Sequence, residues 1–354
     1  MKVWVDILTP KQALFFEPLI KELRSKNVVL VTSRKYREVE LIMKKRSIDG
    51  HFIGEHGGKD LYGKLVASAE RIHMLADLVS KEEPDIAISF SSPECCRVAF
   101  GLGIKNYCIN DSPHAAAVAK LTIPLCQRLF TPWVISTRAW TRYGIDAKNI
   151  TKYRALDPAA WLKRADLSKA KSELDLEKGK KTIAVRLEES FAAYLLENSN
   201  KKPSQGYRLL AKLVKEFSNC NIITLGRYSE QIEILQKNFG NKIIVPDNIV
   251  DGIPLLLNCD LFIGMGGTMT AEAALLGVPT ISFFRGSYDV ESFLIKKGLV
   301  LKPKNVDDIV KVSKKLLSDE RRRRAIKDKA VKLLDWMEDP IQIISDKIEI
   351  ANSI

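Results

Sequence analysis

Short apolar runs alternate with amphipathic segments along the first half of the chain. The runs have the length and composition of buried strands, and the segments between them repeat apolar residues with a helical period. The predicted strands cover residues 3–8, 28–32, 51–53, 85–90 and 106–109. A long helical pattern spans residues 61–80. This alternation predicts a parallel sheet that is covered by helices on both faces.

The alternation lapses once and then resumes. Residues 115–129 form an apolar helical stretch interrupted by Pro124, and the pattern is lost at about residues 153–164. Further strands are predicted at residues 182–187, 221–225, 242–245, 260–263 and 280–284. A chain of 354 residues suits two cores. We therefore predict an α/β protein with two Rossmann-like domains, residues 1–158 and 159–354.

Three helical patterns end the chain, at residues 306–318, 319–336 and 341–351. Pro340 suits the start of the last helix, in which Ile341, Ile344 and Ile348 fall on one stripe. We predict that this helix returns to the first domain.

A glycine-rich stretch in the second domain separates a predicted strand from a predicted helix. Its glycines are Gly264, Gly266 and Gly267. Thr268 or Thr270 can cap the helix, and the exposed N–H groups at its start would bind a diphosphate. Glu272 lies one turn further, where a carboxylate can accept hydrogen bonds from ribose hydroxyls. The alternative is that the glycines serve packing alone, because Gly-x-Gly-Gly is a weak signal.

Charged side chains follow several strands of the second domain. The arginines among them are Arg186, Arg227 and Arg285. A guanidinium group can bind two phosphate oxygens and stabilise a departing diphosphate without a metal. For Arg285 the alternative is a surface pair with Asp289 or Glu291. Glu188 could bind sugar hydroxyls or cap the next helix. The chain has no Asp-x-Asp element, so we expect no catalytic metal.

Polar loops follow the predicted strands of the first domain, at residues 9–11, 56–58, 91–94 and 111–114. Two of only 4 histidines, His56 and His114, fall in these loops. A carboxylate at Asp111 would raise the pKa of His114 and fix its tautomer, as a general base requires. The predicted catalytic residues are thus His114 and Asp111, with His56 and Glu94 as further candidates. A histidine that only stabilises a turn is the alternative.

Composition restricts the class of protein and of ligand. A hydrophobic fraction of 46% and a net charge of +13 fit a globular protein that attracts anions. Six cysteines without metal spacing indicate reduced core residues, and the chain begins in a strand pattern. We expect a cytoplasmic protein. The basic run at residues 321–324 shares its helix with acidic residues, so nucleic acid is not an expected partner.

The apolar stretch at residues 121–125 lies near Lys120 and Arg128. Such a stretch can rest on a membrane that carries a lipid-linked acceptor. Burial in a core between helices is the alternative, so a peripheral membrane contact stays open.

The glycine-rich stretch resembles a signature of the glucosaminyltransferase that makes lipid II, Ser-Gly-Ala-x-Thr-x-x-Glu followed by Gly-x-Pro. The matching residues are Met265-Gly266-Gly267-Thr268-Met269-Thr270-Ala271-Glu272 and Gly277-Val278-Pro279. The resemblance implies a GT-B architecture, with two domains facing a central cleft. It also implies that Gly266 and Gly267 face the diphosphate, Glu272 the ribose and Ile249 the base. Two hydroxyl groups of the signature are replaced, by Met265 and Met269.

Two further families share features with the chain. UDP-N-acetylglucosamine 2-epimerases carry a similar Ser-Gly-Gly-x-x-Glu and an Arg-x-Glu element, which Arg186-Leu187-Glu188 resembles. The whole chain resembles an archaeal family of unknown function through five motifs in its first half. They are Asp6-Ile7-x-Thr9-Pro10-Lys11, His56-Gly57-Gly58, Ser92-Pro93-Glu94, Arg97-x-Ala99-Phe100-Gly101-Leu102 and Asn110-Asp111-Ser112-Pro113-His114.

These resemblances imply a glycosyltransferase that moves a sugar from a nucleotide-sugar donor, UDP-linked by analogy, to a glycan or lipid-linked acceptor. The nucleotide sugar would be a substrate, and no separate cofactor is expected. A UDP-N-acetylhexosamine 2-epimerase is one alternative. A non-catalytic protein that binds a nucleotide sugar or a polyanion is the other.

Overall fold

The computed structural model describes residues 1–58, 60–167, 174–187, 205–226, 229–246, 250–286 and 288–352. The chain forms two compact units. Unit 1 contains Met1–Arg164 and Met337–Ile354, and unit 2 contains Ala165–Trp336. Each unit is built on a parallel sheet with helices between its strands, which confirms the predicted α/β class.

Unit 1 contains a parallel sheet of seven strands in the order β3-β2-β1-β4-β5-β6-β7. The strands are β1 (Lys2–Ile7), β2 (Val28–Lys35), β3 (His51–Glu55), β4 (Ile86–Ser89), β5 (Lys105–Ile109), β6 (Arg128–Pro132) and β7 (Ile150–Tyr153). The central strands β1 and β4 are buried along nearly their whole length, because helices cover both faces.

The helices of unit 1 begin close to the carboxyl ends of the strands. They are α1 (Pro10–Leu23), α2 (Arg37–Lys45), α3 (Leu61–Glu82), α4 (Pro93–Gly101), α5 (Ala116–Thr122), α6 (Arg138–Thr141) and α7 (Ala159–Leu162). Thr9 caps α1 and Ser92 caps α4, each ahead of a proline at the first helical position. These caps fix the polar loops at one edge of the sheet.

The structure departs from the sequence analysis over residues 115–164. The predicted helical stretch ends at Thr122, a 3₁₀ turn follows, and residues 128–132 form β6. Pro124 ends the helix because it lacks an N–H and obstructs the preceding turn. Strand β7 was also missed, since only Tyr153 of its four residues is fully buried. Unit 1 therefore continues through Arg164.

Unit 2 contains five parallel strands in the order β12-β11-β10-β8-β9. They are β8 (Lys181–Arg186), β9 (Cys220–Leu225), β10 (Leu261–Gly264), β11 (Thr280–Ser282) and β12 (Val300–Leu301). The strand predicted at residues 242–245 is wrong in extent, because only Ile244 pairs with the sheet, as a single bridge to Ile223.

The described helices of unit 2 lie between these strands and, for the last two, after β12. They are α8 (Gln205–Glu216), α9 (Ser229–Phe239), α10 (Gly252–Leu257), α11 (Thr268–Leu275), α12 (Asp289–Lys296), α13 (Val306–Ser318) and α14 (Glu320–Trp336). Across the described ranges of both units, no helix combines the length and apolar character needed to cross a membrane.

The last helix, α15 (Pro340–Asn352), belongs to unit 1. It packs on α1 and α7, and Ile341, Ile344 and Ile348 are fully buried there. An ion pair of 2.7 Å between Lys26 Nζ and Glu349 Oε1 adds a polar contact at the rim.

Candidate functional site

The glycine loop of unit 2, residues 264–267, joins β10 to α11. Gly267 has φ +78° and ψ −166°, a backbone region that essentially only glycine occupies. A Cβ atom added there would have no neighbour within 4 Å among the described residues, apart from the two adjacent in the chain. The space before the first turn of α11 is therefore open, and the backbone N–H groups of that turn are accessible to an anion.

The other end of the glycine loop is tightly packed. A Cβ at Gly264 would lie 2.6 Å from both Phe262 Cε1 and Thr270 Oγ1. Buried Thr270 donates a hydrogen bond of 3.0 Å to the carbonyl of Gly266. Thr270 thus braces the loop, whereas Thr268 is half-buried at the first position of α11. The loop is therefore tightly packed at Gly264 and open at Gly267, where α11 begins.

Glu272 lies in the second turn of α11 and is only 4% exposed. A Cβ at Gly252 would come within 3.6 Å of Glu272 Oε2. The absence of a side chain at the start of α10 therefore leaves room beside this carboxylate. The contact of Glu272 with a ribose stays a prediction.

The predicted charged residues of unit 2 have separate surroundings. Arg186 Nη1 donates to the carbonyl of Gly226 at 3.4 Å. Arg285 Nε donates to Gln205 Oε1 at 3.0 Å, and within the described ranges it pairs with neither Asp289 nor Glu291. The remaining predicted residues, Glu188, Arg227 and Ile249, lie outside the described residues.

A cluster of charged groups occupies the carboxyl edge of the sheet in unit 1. Lys11 Nζ lies 2.6 Å from Asp111 Oδ2 and 2.7 Å from Asp157 Oδ2. The hydroxyl of Tyr153 donates to Asp157 Oδ1 at 2.6 Å. These residues come from the start of α1, the loop after β5, the end of β7 and the loop that follows it. We call Lys11, Asp111, Tyr153 and Asp157 the lysine–carboxylate cluster.

The members of the lysine–carboxylate cluster differ in exposure. The side chains of Lys11 and Asp111 are 19% and 21% exposed, whereas that of Asp157 is 1% exposed. The ammonium group also lies 4.3 Å from the ring centroid of Phe90. Lys11 and Asp111 can therefore contact a ligand, and Asp157 acts behind them.

Burial and neighbouring charges shift the pKa values of Asp111 and Asp157 in opposite directions. Burial alone would raise the pKa of Asp111, but the Lys11 ammonium and hydrogen bonds outweigh it and hold that pKa below its usual value. Burial is the largest cause that raises the pKa of Asp157, to about 7, and the Asp111 carboxylate adds to it. At neutral pH Asp111 is therefore ionised while Asp157 titrates.

Lys11 and Tyr153 keep their ordinary protonation states at neutral pH. Burial by itself would lower the pKa of Lys11, but the two carboxylates outweigh it and raise that pKa. Burial, followed by the negative charge of Asp157, raises the pKa of the Tyr153 hydroxyl well above its usual range. The cluster therefore presents an ammonium donor beside an ionised carboxylate acceptor.

The predicted catalytic histidines lie in different parts of unit 1. His114 is exposed and follows Pro113, whose carbonyl accepts hydrogen bonds from Arg142 and Tyr143 at 2.9 and 2.7 Å. The His56 ring stacks on Tyr36 with centroids 4.7 Å apart. Both remain candidates, and their catalytic roles stay predictions.

Asp111 directs its carboxylate to Lys11 and to the Ser112 hydroxyl, at 2.6 and 2.8 Å. These contacts do not test the predicted pairing of Asp111 with His114, which stays a prediction.

Glu94 belongs to a buried network around Arg71. Arg71 forms two hydrogen bonds to Asp6, of 2.6 and 3.2 Å, and its Nη1 lies 3.7 Å from Glu94 Oε2. Glu94 Oε1 accepts from Ser68 at 2.7 Å. Glu94 is only 9% exposed, and its place in this network is that of a carboxylate that balances the charge of a buried guanidinium group.

The described residues contain no group of three or more His, Cys, Asp and Glu side chains arranged to hold a metal ion.

Sequence reasoning missed Tyr153 and Asp157, and it noted Lys11 only as part of a polar loop and of a family motif. Asp157 lies in the segment that was interpreted as a linker between domains. The available signal was Tyr153 at the end of a short strand, with an aspartate four residues later. Without β7, nothing in the sequence places these residues beside Lys11.

Comparison with known proteins supports the fold. The chain is 29% identical over 316 residues to the uncharacterized protein MJ0665 of Methanocaldococcus jannaschii, covering 88% of this chain and 90% of the relative. The structure matches that of S. aureus MnaA with UDP, with a TM-score of 0.76 and 14% identity, over 99% of this chain and 97% of the other.

Two further structures match over the whole length. The M. jannaschii UDP-GlcNAc 2-epimerase in complex with UDP-GlcNAc and UDP gives a TM-score of 0.68 at 14% identity, over 100% of both chains. The spinosyn forosaminyltransferase SpnP gives 0.61 at 17% identity, over 99% of both chains. These matches confirm the predicted GT-B fold class and its likeness to epimerases and glycosyltransferases.

A family model described as "Protein of unknown function (DUF354)" matches residues 1–352, and the chain belongs to this family.

Proposed function

We propose that the protein is an enzyme that acts on a nucleotide sugar, and that unit 2 binds the nucleoside diphosphate at the glycine loop. The observation that carries this proposal is the open start of α11. Gly267 has a glycine-only conformation, and among the described residues no atom other than those of its chain neighbours lies within 4 Å of a Cβ built there. A diphosphate in that space would accept hydrogen bonds from backbone N–H groups at the positive end of the helix.

We propose glycosyl transfer as the reaction. A base removes the proton from an acceptor hydroxyl, and the oxygen attacks the anomeric carbon of the donor. The bond from that carbon to the diphosphate oxygen breaks, and the nucleoside diphosphate leaves with the electron pair. Asp111 is the first candidate for the base, because it is the carboxylate of the lysine–carboxylate cluster that a substrate can contact, with a side chain 21% exposed. His114, three residues further, is the second.

Asp157 and Tyr153 are positioning residues in this proposal. Asp157 is too buried to contact a substrate, but it forms the second ion pair of the Lys11 ammonium group, at 2.7 Å. Its protonation therefore changes how strongly Lys11 is drawn toward Asp111. Tyr153 fixes the Asp157 carboxyl through its hydroxyl.

A 2-epimerase is the second candidate, and the likeness of the fold to that of a UDP-GlcNAc 2-epimerase favours it. Epimerisation at C2 removes a proton from carbon and returns one to the opposite face, so it needs an acceptor and a donor. Asp111 can accept the proton, but Lys11 lies only 2.6 Å from it and therefore on the same side of a bound sugar, so the donor for the opposite face must be another group.

Incubation with UDP-GlcNAc separates these functions. Proton NMR without an acceptor would detect an altered sugar, which identifies an epimerase. Release of UDP only when an acceptor is added identifies a transferase. Tight binding without either product would refute both enzymatic proposals in favour of a binding protein.

Acceptors should include a glycan and a polyprenyl phosphate. Leu121, next to Lys120, is 59% exposed, while Ile123 is fully buried in the core of unit 1. The exposed leucine is the reason to test a lipid-linked acceptor, and vesicles with anionic lipid would test the peripheral contact. Loss of turnover in Asp111→Asn with unchanged UDP affinity would assign Asp111 to catalysis.

A further inference from the structure

Unit 2 contains a basic pocket of about 560 Å³ beside the segment that follows β11. It lies between the starts of α8 and α13. The pocket is lined by one carboxylate, Asp307, and by five cationic side chains, which are Arg208, Lys212, Arg285, Lys302 and Lys304. We call this cavity the basic pocket.

Two of the five cations have carboxylate partners. Lys212 pairs with Asp307, and Lys302 Nζ lies 2.8 Å from Glu291 Oε2. These two cations are therefore compensated within the protein.

The other three cations of the basic pocket lack a carboxylate partner among the described residues. Arg285 donates only to the neutral side chain of Gln205. Arg208 and Lys304 form no hydrogen bond or ion pair within those ranges. Three uncompensated positive charges around one cavity repel each other, and an anion in the cavity would relieve that repulsion.

The lining indicates which anion fits. Guanidinium groups bind phosphate oxygens in pairs, and an ammonium group adds a point charge. Three cations match a phosphate or diphosphate group, whereas a single carboxylate would balance only one of them. The start of α13 contributes little, because Asn305 caps it and Asp307 and Asp308 occupy its first turn. The side chains therefore provide the recognition.

The basic pocket adjoins the glycine loop but is separated from it by Phe284 and Glu291. A Cβ at Gly266 would lie 3.5 Å from Glu291 Oε1 and 3.7 Å from Phe284 Cβ. Lys302 contacts the other carboxylate oxygen of Glu291 and lies 5.6 Å from the Phe284 ring centroid. Buried Glu291 and the ring of Phe284 thus lie between the glycine loop and Lys302 of the basic pocket.

We propose that the basic pocket binds a phosphate or diphosphate group of a second ligand while the nucleotide occupies the glycine loop. The proposal that this pocket binds an anion does not depend on the proposed function. The further proposal that the anion belongs to a phosphorylated acceptor rests on the proposed function.

Calorimetric titration of the full chain with inorganic pyrophosphate at low salt tests the proposal. Arg208→Gln/Lys304→Gln removes two uncompensated charges. Arg321→Gln/Lys332→Gln is the matched control, because it removes the same charges from exposed positions on α14. We expect the dissociation constant to rise about tenfold or more in the pocket variant and less than about twofold in the control.

A second titration, with UDP present at saturation, distinguishes the two anion sites. We expect pyrophosphate still to bind, and Gly267→Ala to leave its affinity unchanged. Competition by UDP would overturn the proposal, since the pyrophosphate would then occupy the nucleotide site. Equal affinities in the pocket variant and the control would overturn it as well. If UDP does not bind, but pyrophosphate affinity falls in the pocket variant and not in the control, the proposed function is refuted and the proposal for the basic pocket is supported.

A phosphorylated acceptor gives the functional readout once a transferase activity is found. The pocket variant should then raise KM for a polyprenyl phosphate at least about tenfold while KM for the donor stays constant. An unchanged KM for that acceptor would overturn the assignment to the acceptor.

Discussion

The substitution Asp157→Asn should change how the stability of unit 1 depends on pH. Asparagine keeps the shape of the side chain and cannot ionise. In the wild type, burial raises the pKa of Asp157 from 3.8 to about 7. Between these values the folded protein holds a proton that the unfolded chain has released, so its stability falls as the pH rises.

The size of the effect follows from the shift. A change from 3.8 to about 7 corresponds to roughly 4 kcal/mol as an upper limit, because one pKa unit is worth about 1.4 kcal/mol. Asp111, whose pKa is lowered, contributes stability that is lost only as the pH falls through its folded pKa, below about 4. Lys11, whose pKa is raised, loses its contribution only above about 10. The interval from about pH 4.5 to 7 therefore isolates Asp157.

Urea unfolding at pH 4.5, 6 and 8, followed by tryptophan fluorescence, measures this dependence. Four of the 5 tryptophans lie in unit 1, so the signal reports mainly on that unit. Relative to wild type, Asp157→Asn should gain up to about 3 kcal/mol between pH 4.5 and 8, because the part of the shift below pH 4.5 is not sampled. Asp49→Asn, at an exposed position of unit 1, should gain nothing. Parallel pH profiles for wild type and Asp157→Asn would refute the reasoning.

Three other substitutions have definite expected outcomes. His114→Ala should lower turnover by about 10² to 10⁴-fold if this histidine is the base, and turnover within about threefold of wild type would make it structural. Glu272→Ala should weaken UDP binding by about 1 to 3 kcal/mol in calorimetry, and unchanged affinity would remove the ribose contact from the account. Arg71→Met should destabilise unit 1 by about 3 to 5 kcal/mol in urea, because it leaves Asp6 buried without its partner. A loss of stability below about 1 kcal/mol would show that the ion pair between Arg71 and Asp6 does not stabilise unit 1 in this way.

The fold class could be predicted from the sequence because strand and helix signals are local. The glycine loop was found for the same reason, since its strand, glycines and helix are contiguous. Strand β6 was missed because its apolar residues continue the helical pattern beyond Pro124. Strand β7 was missed because it is short and only partly buried at the edge of the sheet.

The lysine–carboxylate cluster could not be predicted in the same way. Lys11, Asp111 and Asp157 are distant in sequence, and only the strand order of the sheet brings them together. Their pKa shifts depend on burial, which residue spacing does not report. The basic pocket likewise joins side chains from the starts of α8 and α13 and from the segments after β11 and β12.

Titration of UDP into three proteins tests the central claim that unit 2 binds a nucleotide at the glycine loop. The proteins are wild type, Gly267→Ala and Gly240→Ala. Gly240 also has a positive φ, of +51°, and open space around its Cβ position. Alanine there therefore strains the backbone in the same unit without adding a methyl group before α11. We expect wild type and Gly240→Ala to bind UDP equally, and Gly267→Ala to bind at least about tenfold more weakly. Equal UDP affinity in all three proteins, or no binding of UDP by the wild type, would contradict the claim.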